Sequence, residues 1–230
     1  MEPFEDAVLS CWRLRRAAAG RARAGGSKDP GLRAGVTSGA HLDPLANLVA
    51  ATFIEAGIPD YAIWKGRSRL DLPGYFRADK RWDIVVVHGG ELVAAVELKS
   101  QFGSFGNNLN NRAEEALGNA TDLQQAAEQG LLGRTAPWLG YVYLMQDEPK
   151  SRAPVAVTES HFRVDREFKD ASYQERAMLL CRRLVLKRLY DAACFAVADP
   201  EAGVVCQPAD DLTWAKFQAA VRGRVGEILA

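Results

Sequence analysis

The sequence predicts an α/β protein in which a mixed central β-sheet is flanked by helices, formed as a single domain over residues 1–230. Three observations lead there. Residues 82–87 and 92–99 are β-branched or apolar on both pleat faces and meet at a His88-Gly89-Gly90 turn, as in a hairpin covered on both sides. A third apolar run, 137–146, follows a helical stretch, and a helix between two strands implies a crossover connection. Several amphipathic stretches stand around these strands, and 230 residues can bury a full core.

From the N-terminus, Phe4, Val8, Cys11 and Trp12 recur at helical spacing, and Glu5 and Asp6 sit in the first turn where the helix dipole favours acids. A helix is expected over 4–24. Its second half carries Arg13, Arg15, Arg16, Arg21 and Arg23, either a solvated face or an arm for phosphate contacts. Residues 25–41, rich in Gly, Ser and Pro, read as a loop.

Asp43 followed by Pro44 predicts a helix start, the aspartate as cap and the proline in the first turn. That helix runs to about Ala56, with Leu45, Leu48, Val49, Phe53 and Ala56 facing the core. Glu55, seven residues after Leu48, lies near this stripe and is a candidate metal ligand delivered by a helix. Residues 59–80 form an irregular approach in which Trp64, Tyr75 and Phe76 pack over the core. Lys65, Arg67, Arg69, Arg77 and Lys80 there supply basic side chains for a DNA cleft.

After the hairpin, a helix from about Asn108 to near Gly130 precedes the strand at 137–146. Ser172 and Glu175 have capping-box spacing and predict a long helix to about Ala198, with Cys181, Leu184, Val185, Leu189, Ala192 and Ala196 as its buried stripe. Arg176, Arg183 and Lys187 align on another face of it. A last strand is expected at 203–207, and Asp211 is expected to cap a C-terminal helix ending near Ile228.

Composition narrows the functional classes. With 48% hydrophobic and 25% charged residues, and no run of the ~18 to 20 apolar residues that spans a bilayer, no membrane partner is expected. The acidic N-terminus has no apolar signal core, so a cytoplasmic protein is expected. Cys11, Cys181, Cys194 and Cys206 lack C-x-x-C spacing and the histidines are scattered, which predicts free thiols in a reducing compartment and no zinc site. The 29 basic and 29 acidic residues balance, yet phosphate binding needs only a local basic surface.

The chemistry-bearing residues concentrate in the hairpin and just beyond it. Asp83 sits on the first strand; Glu97 and Lys99, two apart on the second, must point the same way. Register decides whether the acids meet, because a slip of one residue reverses the face. A loop holding only Gly89 and Gly90 turns Asp83 away from Glu97 unless a bulge intervenes, so an odd-length loop is expected. Two carboxylates held together repel unless a cation lies between them, and a hard divalent ion such as Mg²⁺ serves while also binding phosphate oxygens. Such an ion lowers the pKa of a bound water, and Lys99 orients the nucleophile or stabilises developing charge. Glu-x-Lys alone is unspecific, since such pairs are common at strand ends.

The following segment, FGSFGNNLNNR, has four asparagines within five residues. As a helix it sets Asn108, Asn111, Arg112, Glu115 and Asn119 opposite Leu109, Ala113, Ala116, Leu117 and Ala120. Asn is a bidentate partner for adenine and Arg for guanine, so this face suits base edges; helix caps and turns are the plainer use of asparagine.

ELKSQFGSFGNNLNNRAEEALGNATDL at 97–123, with GVTSGAHLD upstream and PWLGYVYLM and HFRVDREFKDASYQERAMLLCRRLV downstream, resembles the XhoI family of type II restriction endonucleases. The resemblance covers most of the chain. It implies a restriction-endonuclease-like PD-(D/E)XK core, Mg²⁺ as cofactor, and cleavage of double-stranded DNA at CTCGAG after the first C with 5′ overhangs. It implies that Asp83, Glu97 and Lys99 carry the D…E-x-K motif, although Trp82 rather than proline precedes Asp83. The DNA-reading residues would be Ser104, Asn107, Asn108, Asn110, Asn111, Arg112 and Glu115. A palindromic target calls for a homodimer, and a cognate methyltransferase would protect the same site. Two alternatives remain at this stage: another DNA nuclease, for repair or junction cleavage, and a non-cleaving DNA-binding module in which Glu97 and Lys99 merely pair.

Overall fold

The computed structural model describes residues 3–24, 40–66 and 68–230, apart from the side chains of 21–24. The loop expected after the first helix falls mainly in 25–39, and with Arg67 and the side chains of Arg21 and Arg23 it lies outside the described residues. Strands β1 (Ile63–Lys65), β4 (Ile84–His88), β5 (Glu91–Gln101), β6 (Trp138–Gln146), β7 (Ala192–Asp199) and β8 (Val204–Cys206) form one sheet in the order β1-β4-β5-β6-β7-β8. β1, β4 and β5 pair antiparallel, β5, β6 and β7 parallel, and β8 closes the edge antiparallel. The sheet is therefore mixed. β2 (Asp71–Pro73) and β3 (Asp79–Arg81) make a separate two-stranded hairpin.

Helices cover both faces of the sheet, which is why its central strands are apolar throughout. On one face lie α1 (Pro3–Ala24), α2 (Asp43–Glu55) and α6 (Trp214–Leu229), whose Val8, Trp12, Phe53 and Phe217 pack with Val96 and Leu98. On the other lie α3 (Phe105–Glu128) and α5 (Tyr173–Leu186), whose Phe105, Leu109, Ala116 and Cys181 pack with Ala95, Tyr141 and Phe195. Leu72 and Trp82 bring the small hairpin onto this second face. The short helix α4 (Pro149–Arg152) lies between β6 and α5 in the chain.

Several local expectations are corrected. The capping box of Ser172 and Glu175 is present, but its helix stops at Leu186, and Ala192 and Ala196 belong to β7. Arg188 turns the chain with φ +55°, and the small-residue run that helical propensity favours instead completes the sheet beside β6. Thr213, not Asp211, caps α6, its side chain accepting the Lys216 N–H; Asp211 lies in the 3₁₀ turn Asp210–Leu212 and pairs with Arg182. Asp43 is the first residue of α2 rather than its cap, because the 3₁₀ turn Ala40–Leu42 leads directly into the helix. Tyr75 and Phe76 stand exposed at the tip of the small hairpin instead of packing over the core.

That tip is anchored by a buried acid. The Asp122 carboxylate of α3 accepts the Tyr75 and Phe76 N–H groups at 2.9 and 2.8 Å and the Arg77 Nε–H at 2.7 Å. Gly74 permits the approach, since a Cβ there would meet Asp122 Oδ2 at 2.6 Å. Burial alone would raise the Asp122 carboxyl, but the Phe76 N–H, the Arg77 guanidinium and the Tyr75 N–H outweigh it and hold the pKa below its ordinary value. Asp122→Ala is expected to cost about 3 kcal/mol at neutral pH, from charge-assisted bonds worth roughly 1.5 to 3 each, read by urea unfolding. Because the folded-state pKa is depressed, this contribution is present above the unfolded value of about 3.9 and is lost as pH falls through the folded one.

Candidate active site

The β4–β5 turn decides where the acids lie. Only Gly89 and Gly90 form the loop, both at positive φ, as a tight two-residue hairpin turn requires, so the odd-length loop is not what occurs. A bulge supplies the missing half-step. Val86 faces Ala94 and Val87 faces Leu92, leaving Val93 as the extra residue, and the ladder continues to Ile84 opposite Val96. Asp83, immediately before β4, thereby comes level with Glu97. Its Oδ2 accepts the Leu98 N–H at 2.7 Å.

Glu97 is buried at 4% exposure, on the sheet face covered by α3. Lys99 Nζ pairs with its Oε1, and Lys80 Nζ, from β3, reaches its Oε2 at 2.6 Å. Lys99 also lies 3.3 Å from Glu115 Oε2 on α3. Burial and the neighbouring Glu97 charge raise the Asp83 carboxyl to about 6. Burial would raise Glu97 too, but Lys99 and Lys80 outweigh it and the pKa is lowered. Burial would lower Lys99, yet Glu97 holds its ammonium above the usual range. The two acids are thus pushed in opposite directions, Asp83 up by burial and Glu97 down by its lysines.

The same strand positions the start of α3. Gln101 Nε2 donates to the Phe105 carbonyl at 2.9 Å, and its Oε1 accepts from the Tyr143 hydroxyl. Ser104 precedes the helix in the left-handed region at φ +43°. Asn107, Asn110, Asn111 and Glu115 are exposed and Asn108 and Arg112 half-buried, so the expected DNA-reading residues share the first turns of one helix, which begins three residues earlier than Asn108. Arg112 donates to Glu115 at 2.6 Å. Asn119 differs, being buried and accepting from Arg77 at 2.9 Å.

Glu55 is not brought to this centre. It is exposed at the end of α2, and α2 packs on the opposite face of the sheet, behind Val96 and Leu98. Its helix packs on the wrong face of the sheet, and Glu55 itself is turned to solvent. Lys80 is the residue whose role the sequence did not reveal: it was one basic residue among five in an irregular segment, and its contact with Glu97 spans 17 positions. Arg176 and Arg183 bind within the protein, Arg176 to the Val155 carbonyl and Arg183 to Asp165 and Glu167. At the same end of β5, His41 Nε2 lies 2.7 Å from Ser100 Oγ, and the Arg15 guanidinium sits 5.2 Å from the Phe102 ring centroid.

Asp83 and Glu97 offer only carboxylate oxygens, a donor set for a hard cation. Among the described residues no group of three or more His, Cys, Asp or Glu side chains is placed to hold a metal. Two carboxylates would leave the remaining positions around a hard divalent cation to water and phosphate. Tyr141, beside Glu97 in the parallel ladder, has a buried hydroxyl without a hydrogen-bond partner, a further polar group for a bound water. The residues present fit such an ion.

A six-stranded mixed sheet flanked by helices is consistent with the restriction-endonuclease class of fold. The family model described as restriction endonuclease XhoI matches residues 21–209. The chain belongs to the XhoI restriction endonuclease family. It is 45% identical over 195 residues to the type II restriction enzyme BstVI of Geobacillus stearothermophilus, covering 80% of this chain and 87% of that one. Identity to the type II restriction enzyme XhoI of Xanthomonas vasicola is 47% over 160 residues, 68% of this chain and 64% of the relative. The type II restriction enzyme AbrI of Azospirillum brasilense is 39% identical over 163 residues, 70% and 73% of the two chains. No solved structure gives a significant match. These relatives are site-specific deoxyribonucleases, so the non-cleaving module is set aside. Among the described residues no helix is long and apolar enough to cross a membrane.

Proposed function

We propose that this protein is a Mg²⁺-dependent type II restriction endonuclease that cuts double-stranded DNA at CTCGAG after the first C. It acts as a homodimer, each subunit cutting one strand of the palindrome, within a restriction-modification system whose methyltransferase protects that site. The observation that carries the reading is the Asp83, Glu97 and Lys99 cluster on one sheet face of a chain belonging to this family.

Asp83 and Glu97 would hold the ion, which when bound supplies charge neutralisation at the phosphate and a water of lowered pKa. Lys99, restrained between Glu97 and Glu115, presents its ammonium beside the reacting phosphate and steadies the charge that develops there. Asn107, Asn108, Asn110, Asn111, Arg112 and Glu115, with Ser104 ahead of them, form the DNA-reading face. Gln101 fixes this face relative to the chemistry by bonding both the end of β5 and the first turn of α3.

Digestion of a mapped plasmid with Mg²⁺ followed by end sequencing tests the reading. Fragments ending 5′-TCGAG at every CTCGAG, with none in chelator, are expected. Cutting at another sequence would overturn the site, and cutting without sequence preference would overturn the restriction role.

A further inference from the structure

Both oxygens of the Glu97 carboxylate are occupied by ammonium groups, and the two lysines are held differently. Lys99 leaves the same strand two residues on and is shared with Glu115. Lys80 arrives from β3, outside the main sheet; its Nζ also donates to the Arg81 carbonyl at 2.9 Å and lies 4.1 Å from the Trp82 ring centroid. Both side chains are largely buried, 11% exposed for Lys80 and 15% for Lys99, but among the described residues Lys80 pairs with one carboxylate and Lys99 with two. A divalent ion approaching Glu97 must displace one of these groups and sit beside the remaining positive charge. Lys80, held by one carboxylate where Lys99 is held by two, is the group more readily drawn off. A phosphodiester at the site would offer its ammonium an alternative anion.

We propose that Lys80 is a gatekeeping counter-ion. In the DNA-free protein it occupies Glu97 and opposes divalent metal. A DNA phosphate draws its ammonium off the carboxylate, so that metal binds tightly only in the DNA complex. Lys80 is here a positioning residue, acting through Glu97. This inference rests on the metal-centre reading above. Coupling of this kind is reciprocal: if DNA raises metal affinity, metal raises DNA affinity by the same factor. The protein would thereby avoid carrying a loaded hydrolytic centre away from DNA.

Calorimetric titration with Ca²⁺, an oxygen-seeking ion, tests the gate with and without a CTCGAG duplex. Lys80→Met keeps an apolar stem of similar length without the ammonium, and Lys80→Gln is a second neutral variant should Met disturb folding. Without DNA, both are expected to bind Ca²⁺ about tenfold tighter than the parent protein, with Lys80→Arg within about threefold of it. On DNA, the difference between the neutral variants and the parent should shrink to about threefold or less. Neutral variants that bind Ca²⁺ no more tightly than the parent without DNA would overturn the gate while leaving the metal centre standing. A Glu97→Gln protein that binds Ca²⁺ as the parent does in both states would overturn the metal reading and the gate with it.

Discussion

Glu97→Gln is expected to lower single-turnover cleavage by about 10³-fold or more, because the substitution removes charge from the point where ion and phosphate charge are balanced. Duplex binding measured without metal should be kept or strengthened, since the DNA-reading face on α3 is untouched and Lys80 no longer has Glu97 as a competing anion. Stability should fall as well. Lys80 and Lys99 both pair with Glu97, so the amide leaves the poorly solvated Lys80 ammonium without its carboxylate and Lys99 with Glu115 alone, at a cost of about 3 kcal/mol. A centre of two unpaired acids would respond with the opposite sign, gaining stability when one is neutralised. Cleavage and urea unfolding of one variant therefore examine the chemical role and the electrostatic arrangement together.

Lys99→Met is expected to have the second-largest effect, a fall of about 10²- to 10³-fold in the rate of the chemical step with KM little changed. Methionine preserves most of the stem volume, and Glu97 keeps Lys80 as its counter-ion, so the fold should persist. A lost ground-state contact would instead raise KM at constant kcat. Lys99→Arg should not restore activity, because the guanidinium is longer and planar and the Glu97–Lys99–Glu115 geometry accommodates a compact ammonium.

The sequence made the sheet centre legible because the period of a strand is rigid. Glu97 and Lys99 share a face whatever surrounds them, and apolar character on both faces of β5 demanded two covering layers. The bulge at Val93 was not legible, since the extra residue is an ordinary core valine and only the pairing partner reveals it. Nor was β7. Its alanine-rich run favours a helix locally, and the open edge of β6 makes it a strand. Glu55 was misplaced for a related reason: helical periodicity cannot give the face of the sheet on which the helix packs, and at the helix end Glu55 turns to solvent. Lys80 escaped notice because its carboxylate partner lies across two separate sheets, a relation that spacing cannot encode.

The reading rests on Asp83 and Glu97 binding one ion beside Lys99. Anomalous scattering from Mn²⁺ in crystals of the Lys99→Met protein bound to a CTCGAG duplex measures this most directly. The predicted result is a peak about 2.1 Å from oxygens of both carboxylates and of the scissile phosphate. A peak held by other side chains, or DNA seated with no ion between Asp83 and Glu97, would contradict it.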